Sequence, residues 1–176
     1  AMLFATPLAL LAALYTTEFA PRWLGEAIKP VVELLAGLPS VVLGFFALVV
    51  LATWLQETFD FDFRLNAINA GIALGLAVIP IMYTICEDAL TSVPRSYRNA
   101  SLALGASPWQ TAWKVVLPSA LPGVFAGIVL GFGRAIGETM IVLMASGNAA
   151  ITSWVFAEPV RTISATIAAE LGEVVF

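Results

Sequence analysis

The chain has 176 residues, of which 60% are apolar and only 11% are charged, whereas about a quarter of the residues of an ordinary soluble domain are charged. This composition excludes a soluble domain and predicts an integral membrane protein. The formal charge of −4 comes with no basic tract of the kind that binds nucleic acid. The single cysteine excludes an internal disulfide and a cysteine-based zinc site.

Four apolar stretches approach or exceed the roughly 20 residues that a helix needs to cross a bilayer. They predict an all-α fold, a polytopic bundle of transmembrane helices. Both ends of the chain lie inside an apolar pattern, so we expect a domain cut from a longer chain. The predicted spans are 1–17, 41–55, 67–86 and 119–145.

The polar segments between the spans predict the orientation of the chain in the membrane. Alternate crossings place segments 18–38 and 87–118 on one side, and segments 56–66 and 146–161 on the other. Cytoplasmic loops carry an excess of Lys and Arg, so segment 87–118 is predicted to be cytoplasmic. The cationic residues are Arg22, Lys29, Arg95, Arg98 and Lys114 on the first side, and Arg64 and Arg161 on the second.

Within segment 87–118 the capping signals predict two short helices that form a protruding hairpin. Ser96 can cap a helix that runs to Leu104, with Gly105 at the C′ position. Ser107, followed by proline, opens a second short helix through Val116. The next span is expected to start at Pro118 and Pro122, and the charges of Glu87 and Asp88 are expected to be solvated.

The end of the chain predicts an amphipathic helix on the outer surface. Its apolar residues fall on one helical face, opposite Glu170 and Glu173. They are Ile163, Ile167, Leu171 and Val174.

Segment 87–118 also carries a family motif. Gly105, nine residues and then Val115-Val116-Leu117-Pro118 resemble the cytoplasmic coupling loop of ABC import permeases. Asn99-Ala100-Ser101 stands where that family has Glu-Ala-Ala, so only the middle alanine is retained. The resemblance implies that the helix from Ser96 to Gly105 enters a cleft of the ATP-binding subunit and transmits its closure. The residues implied in ATPase coupling are Ser96, Asn99, Ala100, Ser101, Gly105, Leu117 and Pro118.

Two further segments, 35–42 and 134–140, resemble the permeases of phosphate-specific (Pst-type) importers. Met140 after Glu138-Thr139 resembles the PstC subunit rather than PstA. The similarity covers 1–176 and implies a single MetI-like permease domain, a fragment without the N-terminal and final spanning helices, with 87–118 as its coupling loop.

By the same resemblance the chain would form the path for inorganic phosphate across the bacterial inner membrane. Its partners would be a second, PstA-like permease subunit, an extracytoplasmic phosphate-binding protein and a dimer of the ATP-binding subunit. A permease for molybdate, tungstate or sulfate and a non-transport membrane anchor are the alternatives.

The sequence contains no Gly-x-x-x-x-Gly-Lys-Ser/Thr P-loop. ATP hydrolysis is therefore expected on a separate subunit, which would bind ATP and Mg²⁺. The chain itself is expected to bind no cofactor or metal and to catalyse no bond chemistry.

Arg134 and Glu138 are the only charged residues in the last predicted span. Arg134 lies roughly 18 Å beyond Pro122, near the middle of the bilayer, where an arginine costs about 2.5–3.5 kcal/mol and normally faces protein or water. A small-residue stripe that favours close helix packing lies on the same arc of the helix. It consists of Gly123, Gly127 and Gly131.

Two interpretations of this charged pair remain open. Arg134 can bind the phosphate anion in the translocation path, since a guanidinium fork matches phosphate oxygens, with Glu138 holding Arg134 while the path is empty. Alternatively, the two residues form a structural ion pair between two permease subunits.

Overall fold

The computed structural model describes residues 1–151 and 154–173, and over these residues the chain is predominantly helical. In this part of the chain no β-strand is found, only an isolated bridge between Gly147 and Val160. The all-α prediction is confirmed. The α-helices are α1 (Met2–Glu18), α2 (Arg22–Ala36), α3 (Ser40–Phe46), α4 (Ala52–Phe59), α5 (Ala67–Thr91), α6 (Arg95–Ala103), α7 (Pro108–Thr111), α8 (Leu117–Gly137), α9 (Met140–Ala145) and α10 (Ile163–Glu173), with π-helical segments at Ala47–Leu51 and Ala112–Val116.

Three continuous helical stretches of the described residues are long and apolar enough to cross a membrane. They correspond to the second, third and fourth predicted spans, and they confirm the membrane class. The first predicted span is α1, which is apolar but shorter, with 17 residues. The three stretches are Ser40–Phe59, Ala67–Thr91 and Pro108–Gly137.

The helices are organised in two compact units. The first unit comprises residues 3–36 and 78–132. The second comprises residues 1–2 and 37–77 together with the described residues from 133 to 173. Helices α5 and α8 each contribute one part to each unit.

In the first unit, α5 and α8 pack closely in antiparallel directions along the glycine stripe. A Cβ atom built on Gly123 would lie 2.5 Å from the Cβ of Ala89, and one on Gly127 would lie 3.3 Å from the Sγ of Cys86. A Cβ atom on Gly131 would lie 2.5 Å from the Cγ of Met82. Because a side chain at these positions would meet α5, the stripe permits the close approach of the two helices.

Helix α2, in the first unit, lies within segment 18–38, for which the sequence predicted no helix. It has charged residues on one face and half-buried apolar residues at a four-residue spacing on another. The half-buried residues are Leu24, Ile28 and Val32, and the exposed apolar residues include Trp23 and Leu34.

The predicted hairpin of two separate short helices is only half right. Helix α6 is a separate helix, but its N-cap is Pro94, and no side chain caps it, so the prediction that Ser96 is the N-cap is wrong. The second short helix continues without a break into α8, so Pro118 does not begin a new helix. Pro118 has no N–H for an ordinary helical bond. The helix accommodates this proline through the preceding π-helical segment, in which the N–H of Leu117 bonds to the carbonyl of Ala112.

The second unit is built on small residues. Its core contains mainly alanines from the stretch Ser40–Phe59, from α5 and from α9, with Leu43 and Leu51 packed against them. A Cβ atom on Gly44 of α3 would lie 3.2 Å from the carbonyl oxygen of Met140 in α9, so these two helices are in close contact. The buried core residues are Ala47, Ala70, Ala73, Ala77, Ile141 and Ala145.

The last predicted span is not one helix. Helix α8 ends at Gly137 and α9 begins at Met140, so Glu138 and Thr139 lie in a break. Helix α10 lies where the amphipathic helix was predicted, and its apolar residues Ile163, Ile167 and Leu171 are exposed. Val174, the fourth predicted residue of that face, is outside the described residues.

Candidate functional site

The charged pair of the last span lies at the break between α8 and α9, in the second unit. Arg134 is in the last turn of α8, where a cation interacts favourably with the helix dipole. Its Nη2 lies 3.8 Å from Oε2 of Glu138. The Glu138 side chain is 8% exposed, whereas that of Arg134 is 40% exposed.

Because Glu138 lies beyond the end of α8, the prediction that it continues the helical arc of the glycines is wrong. The two residues are nevertheless at positions i and i+4, and their side chains lie 3.8 Å apart. The backbone groups freed by the break have partners: Ser164 Oγ of α10 donates to the Glu138 carbonyl (3.1 Å), and Thr139 Oγ1 donates to the Gly137 carbonyl (3.4 Å). Such partners are what a broken helix needs in a membrane.

The pair of Arg134 and Glu138 is loose. A distance of 3.8 Å is too long for a hydrogen bond, and within the described residues the guanidinium of Arg134 makes no hydrogen bond. Its N–H donors are therefore available to a ligand, while the buried carboxylate of Glu138 keeps the cation neutralised in the absence of one. This arrangement can bind an anion by exchanging one acidic partner for another.

Asn69 in the second unit is a buried polar residue that the sequence analysis missed. Its Nδ2 donates to the carbonyls of Ala145, at the end of α9 (2.9 Å), and Ala47, at the start of a π-helical segment (3.4 Å). Its backbone N–H bonds to Oδ1 of Asn66 (2.8 Å). Asn69 thus holds α9 against the stretch Ser40–Phe59, which fixes the far side of the break.

In the first unit, the predicted coupling loop forms a compact helical structure. Gly105 has φ of +83°, the left-handed conformation expected at C′. Its N–H bonds to the carbonyl of Leu102, and that of Ala106 bonds to the carbonyl of Ser101, which together form a Schellman motif. Ser107 is the N-cap of α7 with proline at N1, as the sequence predicted, and it forms a capping box with Gln110.

Apart from Gly105, the residues implied in ATPase coupling fall into two groups. Ser96, Asn99 and Ala100 are exposed on α6, and Ser101 is half-buried because it hydrogen-bonds to Thr111 (2.9 Å). The second group consists of Leu117 and Pro118, which lie within the long helix that begins at Pro108. The π-helical segment Ala112–Val116 separates them from α7.

Several large apolar side chains are exposed on this loop. Leu104 is 89% exposed, and the exposed residues Tyr97, Leu102 and Trp109 surround the same helical turns. A groove of about 630 Å³ runs between α6 and the start of the long helix, lined by Tyr97, Leu104 and Lys114 among others. An apolar surface on a polar loop is typical of a protein contact.

Two ion pairs of the first unit were not predicted. Arg98 of α6 bonds to Glu18 of α1 (2.7 Å). Lys29 of α2 bonds to Glu87 of α5 (3.0 Å), and this hydrogen bond raises the pKa of Lys29 above its ordinary value. Glu87 is buried, so the expectation that it is solvated is wrong, whereas Asp88 is exposed. The residues of each pair are far apart in sequence, and no local pattern connects them.

The described residues form three membrane-length helices and place a buried charge at a broken span, a combination typical of a membrane transport protein. Residues 5–169 match the family described as the binding-protein-dependent transport system inner membrane component. The chain belongs to this family.

Several curated relatives resemble the chain along most of its length. It is 40% identical to a probable ABC transporter permease protein, YqgH, of Bacillus subtilis, over 83% of this chain and 47% of the relative. It is 36% identical to the phosphate transport system permease protein PstC of Mesorhizobium japonicum and 34% identical to that of Xylella fastidiosa, over 99% and 98% of this chain respectively and 59% of each relative. The chain thus spans about half to three-fifths of the length of these relatives.

Proposed function

We propose that the chain is the core of a permease subunit of an ATP-driven phosphate importer, and that Arg134 binds the anion in the translocation path. The observation that carries this proposal is the guanidinium of Arg134 at the break between α8 and α9, which makes no hydrogen bond to the described residues and has a buried carboxylate 3.8 Å away. Discontinuous helices form the substrate sites of many transporters. The relatives named PstC favour phosphate among the oxyanions.

In the proposed cycle, Glu138 neutralises Arg134 while the path is empty. An arriving phosphate presents two oxygens to the guanidinium fork and replaces the weak contact with Glu138 by charge-assisted hydrogen bonds. The carboxylate of Glu138 then repels the anion at short range. This repulsion keeps the binding weak enough for the anion to leave.

The proposed assembly follows from the family. A second, PstA-like permease subunit completes the path, an extracytoplasmic binding protein delivers phosphate, and a dimer of a separate subunit binds and hydrolyses ATP with Mg²⁺. The chain itself holds no cofactor in this proposal, and the assembly lies in the bacterial cytoplasmic membrane. The exposed apolar surface around Leu104 supports contact of α6 with the ATPase.

Uptake by the complete transporter tests the substrate. The full-length permease with its partner subunits is reconstituted in liposomes, and ATP-driven uptake of labelled phosphate is measured with and without an excess of sulfate, molybdate or tungstate. We expect phosphate uptake that only unlabelled phosphate suppresses. Uptake of another oxyanion in preference to phosphate would support a permease for molybdate, tungstate or sulfate. If ATP drives no uptake of any of these anions, the result would support a membrane anchor.

A further inference from the structure

Arg98 makes the densest set of polar contacts in the first unit. From α6 it reaches the end of α1, where its Nε and Nη2 bond to the carboxylate of Glu18 at 3.1 and 2.7 Å. From the same position Nη2 donates to the carbonyl of Leu90 at 2.9 Å, and Nη1 donates to the carbonyl of Val93. One side chain therefore joins α6, the end of α1 and the end of α5.

The two carbonyls that accept from Arg98, those of Leu90 and Val93, lie at and just beyond the end of α5. The Leu90 carbonyl is among the last four of α5, which have no N–H donor within the helix. It accepts from the N–H of Val93 (3.3 Å) as well as from Arg98, and Val93 is buried just beyond the end of α5. A cation at this position also interacts favourably with the helix dipole. The side chains of Arg98 and Glu18 are only 19% and 11% exposed, so solvent screens the pair less than a surface ion pair.

The other end of α6 is joined to the long helix Pro108–Gly137. The hydroxyl groups of Ser101 and Thr111 lie 2.9 Å apart, and Thr111 is buried. Helix α6 is therefore fixed at Arg98 to α1 and α5 and at Ser101 to the start of the long helix. Helix α6 thus has polar contacts with all three of these helices.

We propose that Arg98 is a positioning residue that transmits movement of α6 to the ends of α1 and α5. This inference rests on the proposed function, in which the ATPase moves α6. The planar fork is essential to it, because Arg98 reaches a carboxylate and two separate carbonyls with three different nitrogens, whereas a lysine carries all its N–H donors on one atom. Loss of Arg98 therefore uncouples ATP hydrolysis from transport rather than only removing a surface charge.

The test uses the complete transporter, with Arg98→Lys as the main variant and Lys29→Gln as the matched control. Lys29 forms another inter-helix ion pair of the same unit, and within the described residues it makes no hydrogen bond or ion pair with α6. ATP hydrolysis and phosphate uptake are measured on the same proteoliposomes. For Arg98→Lys we expect an assembled complex that hydrolyses ATP but moves about tenfold less phosphate per ATP, the change that corresponds to one charge-assisted hydrogen bond. Lys29→Gln should leave this ratio unchanged.

A second measurement does not depend on the substrate. A cysteine at the exposed Asp88, near the end of α5, in a Cys86→Ser background should change its rate of labelling by a thiol reagent when ATP is added. This change should be absent in the Arg98→Lys variant. If phosphate is not transported but the labelling change depends on Arg98, the proposed substrate is wrong and the role of Arg98 stands.

Three results would overturn the role of Arg98. The first is a normal ratio of phosphate to ATP, and a normal labelling change, in Arg98→Lys. The second is a lower yield of complex whose surviving fraction couples normally, which would make Arg98 only structural. The third is full recovery in the exchanged variant Glu18→Arg/Arg98→Glu, because that variant sets a carboxylate against the carbonyls of Leu90 and Val93.

Discussion

At the scale of single residues, two arginine–glutamate pairs of this chain differ in how firmly they are made. Arg98 and Glu18 approach to 2.7 Å with further bonds to backbone carbonyls, whereas Arg134 and Glu138 stay 3.8 Å apart. A pair with several short bonds holds two elements in place. A loose pair with one exposed partner can exchange that partner for an anion, which is the behaviour proposed for Arg134.

Substitutions of the loose pair separate a substrate site from a structural one. Arg134→Gln should abolish phosphate uptake, and Arg134→Lys should lower it about 10- to 100-fold, because the charge stays but bidentate bonds worth about 1.5–3 kcal/mol are lost. Glu138→Gln should change uptake without abolishing it. Complex yield and uptake are measured for each variant in the complete transporter.

The double variant Arg134→Gln/Glu138→Gln decides between the two interpretations. If Arg134 binds the anion, the double variant assembles and stays inactive. In a purely structural pair, each single variant leaves an unpaired charge, which costs about 3–5 kcal/mol in protein interiors, and the double variant regains both assembly and uptake. Recovered uptake would contradict the proposed role of Arg134.

At the scale of elements, the contact of α5 with α8 depends on the absence of side chains. Gly123→Ala would set a methyl group 2.5 Å from the Cβ of Ala89, and neither atom can rotate away, so the helices must move apart at a cost of about 1–3 kcal/mol. We expect a lower thermal midpoint of the purified complex. Gly133→Ala is the control, because a Cβ there meets nothing within 4 Å.

The contact of Gly123 with Ala89 also allows a compensating change. Ala89→Gly in the Gly123→Ala background removes the clashing methyl group and should raise the thermal midpoint again. The recovery should be partial, because glycine inside a helix costs roughly 1 kcal/mol of stability. If Gly123→Ala is as well tolerated as Gly133→Ala, the close packing is not important for stability.

The end of α6 gives a second prediction at this scale. Gly105 has φ of +83°, but a Cβ there would meet no atom within 4 Å, so a substitution is disfavoured only by the backbone conformation. Gly105→Val should cost about 1–2 kcal/mol and displace α6, which lowers the amount of ATPase that co-purifies. Gly105→Asn is the matched control, since asparagine tolerates this conformation. If both variants lose the co-purifying ATPase equally, the added side chain and not the strained backbone conformation would be the cause.

For the whole molecule, the sequence predicted the features that depend on composition or on near neighbours. The all-α class follows from the apolar stretches, and the conformation of Gly105 and the N-cap at Ser107 follow from residues within one turn. Contacts between distant residues were missed, as between Arg98 and Glu18, 80 positions apart. The break at Glu138 was missed for the same reason. The apolar pattern continues on both sides of the break, and the residue that bonds to its backbone, Ser164, lies 26 positions away.

The orientation of the whole molecule gives the last prediction, and it can be tested across a single helix. Helix α5, with 25 residues, separates segment 56–66 from segment 87–118, so the two segments lie on opposite sides whether or not α1 crosses the membrane. Arg95, Arg98 and Lys114 lie in the second segment and Arg64 in the first, and this excess places the second segment in the cytoplasm. In a Cys86→Ser background, a cysteine at the exposed Asp62 should react with an impermeant thiol reagent added to intact cells, and one at Leu104, which is 89% exposed, should not. In inverted membrane vesicles stripped of the ATPase the pattern should reverse, which shows that both positions are reactive. Labelling of Leu104→Cys in intact cells, with Asp62→Cys protected, would invert the orientation and remove α6 from the side where ATP is hydrolysed.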